Sequence, residues 1–509
     1  MNSPRQRRFL WFWGGLVLIN LVLAIVFLRP GLNKSTVEEL TVYCAAGIRK
    51  PAEELARQYE QEYPVVIRLD YGSSGEMESK LDLDRQSGVS RCDLYLPADQ
   101  SFSKRAHQRG LTRESIPLAR FRLVLATKPG NPSNIQTLDD LLSGKIDYVF
   151  CAEQAAAGKK TREVFGALGL WDSLDRGKKA TFPRVPEAAQ AIKISDNIQA
   201  GLIWDSTARQ FGLEIVELKQ LDSGRATITA NVVADTPRAQ AALRFGRYLS
   251  SPENGAPVFA KHHYETIKGD RWSETPEITV YCGGLNRHAV KQTLAEFEER
   301  EGCRINTLYA GCGTLVANMK TGHAGMPDAF LTCDASYLEK VKNAFDPASD
   351  MSSTRVVLLV RPGNPHNIQS LQDLAQPDLK IGTTDQRLST LGDLSWQMFE
   401  LTGVLAAIER HKTVVVTTPT AHELILQMQG HTKLDVALVY EANCQNLGEQ
   451  FEVIAIDHPR AIAVQNVALA KRSDYPLLAG RLLETLTSEA SRQRFVSHGF
   501  SWLAKAQVP

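Results

Sequence analysis

The chain has 509 residues, of which 43% are hydrophobic and 23% are charged, as in folded soluble proteins. At roughly 150 residues per domain, this length predicts about three domains. The formal charge is +1, but residues 1–34 hold five basic residues and no acid, which leaves 53 basic against 57 acidic residues in the rest. Such a near-neutral body argues against nucleic acid as a partner, because neutralising phosphates requires a basic face.

The first element predicted along the chain is a membrane anchor. Residues 9–28 read FLWFWGGLVLINLVLAIVFL and carry no charge, and a helix of this length spans about 30 Å, the thickness of a bilayer core. Arg5, Arg7 and Arg8 precede it, so residues 1–8 are predicted to be a cytoplasmic basic tail and the bulk of the chain to be periplasmic or extracytoplasmic. A cleaved signal peptide is the alternative, although no A-x-A pattern follows. Residues 29–38 are predicted to be a linker.

The remainder of the chain is a tandem repeat. LTVYCAAG (residues 40–47) recurs as ITVYCGGL (278–285), and YGSSGEMESKL (71–81) matches YAGCGTLVANM (309–319). KPGNPSNIQTLDDL (128–141) matches RPGNPHNIQSLQDL (361–374), and AGLIWDSTA (200–208) matches VALVYEANC (436–444). The landmarks keep their order and nearly their spacing, which predicts domain duplication rather than a solenoid. We predict homologous domains over 39–272 and 277–506, with a polar boundary near residues 269–277.

Each copy alternates strand-like and helix-like segments. In the first copy a β-rich run (residues 40–44) precedes a helical pattern (51–63), a second strand (65–71) and the turn GSSG. The helical pattern places apolar residues on one face, and the second copy repeats that face with Val290, Leu294 and Phe297. This alternation predicts a parallel sheet with helices on both faces. In such sheets ligands bind beyond the carboxyl ends of the strands.

The strand-to-helix loops are therefore the predicted ligand site. The first loop is AAGIRK (45–50) or GGLNRH (283–288), and the second is GSSG (72–75) or AGCG (310–313). Small residues let backbone N–H groups approach a ligand, and the helix that follows adds a partial positive charge, so together they predict an anion site. Ser73 and Ser74 could add hydroxyl donors. The alternative is that these are ordinary turn and N-cap residues.

Other chemical groups form no catalytic set. His262 and His263 are adjacent, but no nucleophile elbow or H-E-x-x-H motif is present. Lys159 and Lys160 could attract an anion or form a solvated charge pair, and Trp204 and Tyr440 could be pocket wall or core. The eight cysteines include no C-x-x-C pair. We predict no enzyme activity, no cofactor and no metal.

Several segments together resemble the molybdate-binding proteins of ABC transporters, which are type II periplasmic solute-binding proteins. The likeness rests on TVYCAAG, YGSSGEMESKL, DLYLPADQSF, AAAGKKTRE and AGLIWDSTA; it covers most of residues 39–265 and, more weakly, 277–505. It implies an α/β fold of two tandem type II periplasmic-binding-protein domains, each of two α/β lobes. In that family a dehydrated oxyanion is held by hydroxyl and backbone N–H groups from several loops.

Carried over by position, the resemblance implies ligand-binding residues in both copies. Where the family offers a serine in the first loop, this chain has Gly47 and Leu285; Arg49, Lys50 or Arg287 could supply charge instead. The first copy keeps more of the family pattern and is the predicted binding domain. The implied residues are Gly47, Ile48, Ser73, Ser74, Gly75, Ala157, Gly158, Val185 and Trp204 in the first copy, and Leu285, Asn286, Gly311, Cys312, Gly313, Ser389, Thr420 and Tyr440 in the second.

The resemblance implies a membrane-anchored, extracytoplasmic solute-binding protein. It would bind a small oxyanion such as molybdate or tungstate by lobe closure and deliver it to an ABC permease. The alternative is a ligand sensor or cell-envelope interaction module that has lost transport coupling.

Overall fold

The computed structural model describes residues 38–322, 325–430, 433–445 and 447–504. The predicted basic tail, membrane anchor and nearly all of the linker lie outside these residues. Within the described ranges, no helix is both long enough and apolar enough to cross a membrane.

The first domain alternates strands and helices as the sequence predicts. Its strands are β1 (Glu38–Ala45), β2 (Val65–Gly72), β3 (Leu94–Leu96), β4 (Thr112–Thr127), β5 (Tyr148–Cys151), β6 (Ala180–Phe182), β7 (Ala200–Trp204), β8 (Glu214–Val216), β9 (Arg225–Val233) and β10 (Glu265–Thr266). Its α-helices are α1 (Arg49–Glu62), α2 (Ser74–Gln86), α3 (Gln100–Gln108), α4 (Leu138–Leu142), α5 (Ala156–Ala167), α6 (Trp171–Gly177), α7 (Val185–Ile194), α8 (Asp205–Phe211), α9 (Ala239–Ser250) and α10 (Gly255–Lys261). Short 3-10 helices cover Ala46–Ile48 and Lys219–Leu221.

The second domain repeats this order. Its strands are β11 (Glu277–Gly283), β12 (Arg304–Ala310), β13 (Ala329–Leu331), β14 (Ser349–Val360), β15 (Ile381–Thr384), β16 (Val414–Thr418), β17 (Val436–Tyr440), β18 (Glu452–Ala455), β19 (Ile462–Leu469) and β20 (Ser501–Trp502). Its α-helices are α11 (Arg287–Glu301), α12 (Cys312–Thr321), α13 (Ser336–Glu339), α14 (Thr390–Leu401), α15 (Leu405–His411), α16 (Ala421–Gln429), α17 (Pro476–Leu486) and α18 (Glu489–Ser497). Short 3-10 helices cover Gly284–Asn286, Lys342–Ala344, Leu371–Ala375, Glu441–Cys444, Gly448–Gln450 and Pro459–Ala461.

The two sheets have the same topology. The strand order is β2-β1-β3-β9-β4-β7-β5-β6 in the first domain and β12-β11-β13-β19-β14-β17-β15-β16 in the second. The prediction of a parallel sheet is only partly correct. Strands β1, β2 and β3 pair in parallel, as do β5, β6 and β7, but β9 and β4 run antiparallel to their neighbours. The sheet is mixed because these antiparallel strands connect the two parallel parts.

One long strand divides each sheet into two lobes: β4 in the first domain and β14 in the second. Residues 112–122 pair with β9 in lobe 1, whereas residues 123–127 pair with β7 in lobe 2. In the second domain, residues 349–355 of β14 pair with β19, and residues 356–360 pair with β17. One continuous strand therefore links the lobes of each domain, and the cleft between the lobes lies beside it.

The repeated octet forms the first strand of each domain. Val42, Cys44, Val280 and Cys282 are fully buried, which explains why TVYC is kept in both copies. Beyond the strand the chain enters a short 3-10 helix and then α1 or α11. Burial on both faces selects apolar residues in a central strand, so the octet encodes the core up to its last residues, which reach the cleft.

The domains meet through a buried charge cluster in lobe 1. Glu301 of α11 is 2% exposed and accepts hydrogen bonds from Arg481 at 2.6 and 2.9 Å, while Arg247 of α9 donates to the Glu301 carbonyl at 2.7 Å. Asp270 accepts hydrogen bonds from the backbone N–H groups of Leu477 and Leu478 in the first turn of α17. The cluster joins lobe 1 of one domain to lobe 1 of the other, and the two clefts lie outside it.

Candidate functional site

Four helix N-termini converge on a cavity of about 310 Å³ between the lobes of the second domain. These helices, α11, α12, α14 and α16, are 15, 10, 12 and 9 residues long. The partial positive charge at these helix starts favours an anion. The cavity is lined by Gly284, Leu285, Arg287, His288, Tyr309, Ala310, Gly311, Cys333, Ser389, Thr390, Pro419, Thr420, Ala421, His422, Glu423, Tyr440 and Asn443.

The inner end of this cavity is polar and uncharged. Tyr440 ends strand β17 and is 2% exposed, yet its hydroxyl has no hydrogen-bond partner; the Asn443 side-chain oxygen is also buried and unpartnered. Ser389 and Thr390 begin α14 at the same wall. Burial raises the pKa of Tyr440 well above its ordinary range, so the hydroxyl remains a neutral donor. A buried unpartnered hydroxyl is costly, and a bound anion would satisfy it.

The rim of the same cavity carries the Arg287 guanidinium and two imidazoles. Arg287, His288 and His422 are exposed and line the mouth; the Arg287 guanidinium lies 5.2 Å from the Tyr309 ring centroid, and the two imidazoles are 6.5 Å apart between centroids. Burial, followed by the nearby His498 and His422, lowers the pKa of His288. The rim imidazole is thus mainly neutral at pH 7, and an anion in the cavity would raise its pKa.

Two buried thiols are paired beside this cavity, and Cys333 of the pair lines it. The Cys333 backbone N–H donates to the Cys312 sulfur at 3.1 Å, and the Cys333 thiol also donates to Cys312. Burial opposes ionisation of Cys312, but these hydrogen bonds lower its pKa, whereas the bond to Cys312 and burial raise the pKa of Cys333. In the first domain Ser74 and Ala98 make the same bond, from the Ala98 N–H to the Ser74 hydroxyl at 3.1 Å.

The corresponding cavity of the first domain is about 10 Å³, close to the space of one water molecule. Trp204 fills it: the side chain is fully buried, its ring centroid lies 4.2 Å from that of Phe121, and a Cβ on Gly47 would be 3.7 Å from its Cδ1. The Trp204 indole N–H is unpartnered, but no space remains beside it for a tetrahedral anion. The cavity is lined by Ala45, Ala46, Gly47, Gly72, Ser73, Ser74, Ala98, Ala155, Ala156, Arg184, Val185 and Trp204.

Polar contacts between side chains also close the first cleft. Arg184, at the start of α7, lies 3.5 Å from Glu76 in α2, and Lys160 lies 3.3 Å from Asp99. Glu76 is the third residue of its helix and Arg184 is an N-cap. The residues at the same helix positions in the second domain are Thr314 and Thr420, which cannot form an ion pair.

Glycines bring the lobes together in both domains. The Gly75 N–H donates to the Gln154 carbonyl at 2.8 Å, and the Gly313 N–H donates to the Leu388 carbonyl at 3.1 Å. A Cβ on Gly313 would lie 1.9 Å from the Arg387 carbonyl oxygen, so no larger residue fits without a backbone shift. The lobes of the second domain are therefore in contact even though its cavity is large.

The structure brings many of the predicted ligand residues to the two cavities. Those that line a cavity are Gly47, Ser73, Ser74, Val185 and Trp204 in the first domain, and Leu285, Gly311, Ser389, Thr420 and Tyr440 in the second. Those outside the two linings are Ile48, Gly75, Ala157, Gly158, Asn286, Cys312 and Gly313.

Each residue outside the linings has a structural reason for its place. Ala157 is fully buried in the first turn of α5, and a Cβ on Gly158 in the same turn would be 2.1 Å from the Ala152 carbonyl oxygen, so this glycine allows the helix to pack closely against the end of β5. The Asn286 amide donates to the Thr332 carbonyl at 2.9 Å. Ile48 is 1% exposed and belongs to the core. Cys312 lies behind Cys333.

Sequence reasoning missed several lining residues. His422, Pro419 and Asn443 follow β16 and β17, whose carboxyl ends are the general position for ligands. Pro419 matches Pro183 of the first copy, whereas His422 and Asn443 differ from the residues at those positions. At the start of α7 the resemblance implies Val185, and the neighbouring lining residue Arg184 is missed. An alignment of the two copies by their helix N-caps pairs Arg184 with Thr420 and would identify Arg184. Among the described residues, no group of three or more His, Cys, Asp or Glu side chains could hold a metal ion.

Comparisons with known proteins agree with this duplicated architecture. A family model for bacterial extracellular solute-binding proteins matches residues 40–265 and again residues 278–501. The molybdate-binding protein ModA of Mycobacterium tuberculosis is 24% identical over 232 residues, which is 44% of this chain and 84% of that protein. ModA of Escherichia coli is 23% identical over 256 residues, covering 48% of this chain and 95% of that protein.

Solved structures include similar single domains. The periplasmic molybdate-binding protein of Azotobacter vinelandii is 18% identical, with a TM-score of 0.38 over 45% of this chain and 100% of that one. Each of these relatives corresponds to one half of the chain. The family model matches both halves, so the chain belongs to the bacterial extracellular solute-binding proteins and carries two molybdate-binding-protein-like domains in tandem.

Proposed function

We propose that the chain is a membrane-anchored, extracytoplasmic solute-binding protein whose second domain binds an anion by lobe closure for ABC-type uptake. The observation that carries this proposal is the second-domain cavity, where four helix N-termini meet the unpartnered Tyr440 hydroxyl. Neutral donors of this kind hold a dehydrated oxyanion without a buried counter-charge. Binding requires positioning only, and no bond is made or broken.

Molybdate and tungstate are the first ligands to test. The relatives named as molybdate-binding proteins support this choice. The sequence favoured the first domain as the binding domain, but its cavity of about 10 Å³ is filled by Trp204, and we therefore assign binding to the second.

The location is part of the same proposal. Residues 9–28 would anchor the chain with residues 1–8 in the cytoplasm, and an ABC permease would recognise the closed second domain. The alternative, a ligand sensor or cell-envelope interaction module, gains support from the first domain. Its cleft is bridged by the ion pairs Arg184–Glu76 and Lys160–Asp99, which suits a surface for protein contact.

Isothermal titration of the full chain with molybdate, tungstate, sulfate and phosphate tests the proposal. We expect binding of at least one anion, weakened in Tyr440→Phe by about 1.5–3 kcal/mol, the contribution of a hydrogen bond to a charged group. Trp204→Phe at the matching position of the first domain is the control and should leave affinity unchanged. Absence of binding by all four anions up to millimolar concentration would refute an inorganic oxyanion as the ligand.

A further inference from the structure

We propose that the second-domain cavity selects an organic anion with two separated acid groups, rather than a bare tetrahedral oxyanion. This inference rests on the proposed function and deepens it by naming the ligand class. Its basis is the size of the cavity, its two chemically different ends, and the matched residues of the first domain.

The cavity is too large for a tetrahedral oxyanion alone. A water-sized atom needs about 10–15 Å³ of cavity space, so the five atoms of a tetrahedral oxyanion need about 50–75 Å³, whereas this cavity is about 310 Å³. The lobes already touch through Gly313 and Leu388, so further closure at that contact cannot remove the excess. A volume near 300 Å³ is at the lower end for small organic ligands.

The two ends of the cavity suit different groups. The inner end presents the hydroxyl groups of Tyr440 and Ser389, which are neutral donors for one acid group. The rim presents the Arg287 guanidinium and the imidazoles of His288 and His422, and a bound anion would favour the protonated form of His288. Glu423 is the one acidic residue in the lining; its carboxylate is held by the Thr420 N–H at 3.2 Å.

The lining also provides apolar surface for a carbon body. Leu285, which stands where the first domain has Gly47, contributes an aliphatic side chain, and Pro419, Ala421 and Tyr309 complete this surface. A ligand made only of oxygen atoms around a metal would leave this surface without a partner, whereas a short carbon chain would cover it.

The first domain shows what the rim arginine would do without this role. There Arg49, the first residue of α1, pairs with Glu53 at 2.7 Å. In the second domain Arg287 is the first residue of α11, and Lys291 stands where Glu53 would be. The second domain thus replaces a neutralising partner by a second cation one turn along the same helix, which favours a second anionic group on the ligand.

Calorimetric titration of the full chain tests this with three kinds of probe. They are molybdate, four- or five-carbon dicarboxylates and phosphorylated hydroxy acids, and the matching compounds in which one acid group is replaced by an amide or a hydroxyl. We expect the two-acid compounds to bind at least tenfold more tightly than molybdate and than their one-acid analogues. The dicarboxylate and phosphate arms identify which acid occupies the inner end.

Substitutions at one helix position complete the test. Arg287→Gln should reduce the preference for two acids over one by at least threefold, and the reduction should shrink as salt is added. Arg49→Gln is the matched control and should change neither the affinity for two-acid compounds nor the affinity for their one-acid analogues. If Arg287→Gln does not fold, Lys291→Glu, which rebuilds the first-domain pair around Arg287, should have the same effect.

The outcomes separate this inference from the function that it extends. Molybdate or tungstate binding more tightly than every organic acid, with no effect of Arg287→Gln or Lys291→Glu on any preference, would overturn the inference and leave anion binding in place. Failure of all anions, organic and inorganic, would overturn both.

Discussion

The two domains have the same strand order and the same helix starts, but cavities of about 10 and 310 Å³. Three matched positions account for much of this difference. Trp204 becomes Tyr440, Arg184 becomes Thr420, and Glu76 becomes Thr314. In the first domain these residues fill the cleft and pair across it; in the second they leave space and an unpartnered hydroxyl. The buried strands fix the fold, whereas a few residues at helix N-termini decide whether it can hold a ligand.

The largest effect is expected when the matching aromatic residues of the two clefts are exchanged. Tyr440→Trp should fill the second cavity and weaken anion binding at least 100-fold, because the larger ring occupies the space and removes the hydroxyl. Titration calorimetry gives the affinity, and thermal unfolding shows whether the variant is folded. Trp204→Tyr is the reciprocal control and should leave second-domain binding intact. Full binding by a folded Tyr440→Trp protein would contradict the assignment of the site.

The next largest effect is expected at the lobe contact. Gly313→Ala should weaken ligand binding by about tenfold, because the new Cβ would meet the Arg387 carbonyl oxygen at 1.9 Å and force the lobes apart. Small-angle scattering should show a larger radius of gyration. Gly480→Ala, on a helix where no atom lies within 4 Å of the new Cβ, is the control and should be neutral or stabilise by up to about 1 kcal/mol. Equal behaviour of the two variants would exclude a role for the contact.

The pH dependence of binding sharpens the role of the rim. The pKa of His288 is lowered by burial and by His498, His422, Arg287 and Lys291. In the free protein the imidazole therefore stays neutral at a lower pH than the ordinary pKa of about 6.5 would allow. A bound anion would raise that pKa, and binding would take up a proton. Affinity should therefore increase severalfold as the pH falls from 8 to below 6.5.

The same pKa shift makes the free protein less stable at low pH. Because the unfolded chain binds the proton more readily, the free energy of unfolding should fall as the pH drops below about 6.5. Titrations in buffers of different ionisation enthalpy measure the proton uptake. His288→Asn should flatten the pH profile, whereas His411→Asn, on the surface of the same domain, should not. An unchanged profile in His288→Asn would remove the imidazole from the binding account.

The smallest effect is expected for the thiols. Replacing Cys312 by Ser and Cys333 by Ala recreates the first-domain pair, in which the Ala98 N–H donates to Ser74. We expect affinity to change by no more than about twofold and stability by about 1 kcal/mol, because the hydrogen bond is retained and little volume is lost. Titration of the double variant checks this. A loss of affinity beyond tenfold would show that the sulfur atoms take part in binding.

The sequence was sufficient for the architecture but not for the site. The repeated octet, the GSSG and AGCG turns and the helix patterns predicted the duplicated α/β domains, because burial constrains strand and helix residues strongly. The mixed sheet was missed because strand polarity depends on which strand crosses between the lobes, and β4 gives no local signal of that.

The binding domain that we propose differs from the one that the sequence favours, and for a different reason. Ser73 and Ser74 made the first copy look more like its relatives, but whether a cavity exists depends on how Trp204 packs against Phe121 and Gly47. That packing involves residues far apart in the chain. Likewise, the Arg184–Glu76 pair joins two lobes, and neither residue alone indicates a closed cleft.

The central claim, that only the second domain binds, is tested most directly by the stoichiometry of the full chain. Calorimetric titrations are made with molybdate and with a dicarboxylate. The ligand that binds more tightly should give one site per chain, and this site should disappear in Tyr440→Trp. Two sites per chain, or one site that survives Tyr440→Trp and disappears when Ser73 and Ser74 are replaced by Ala, would contradict the account.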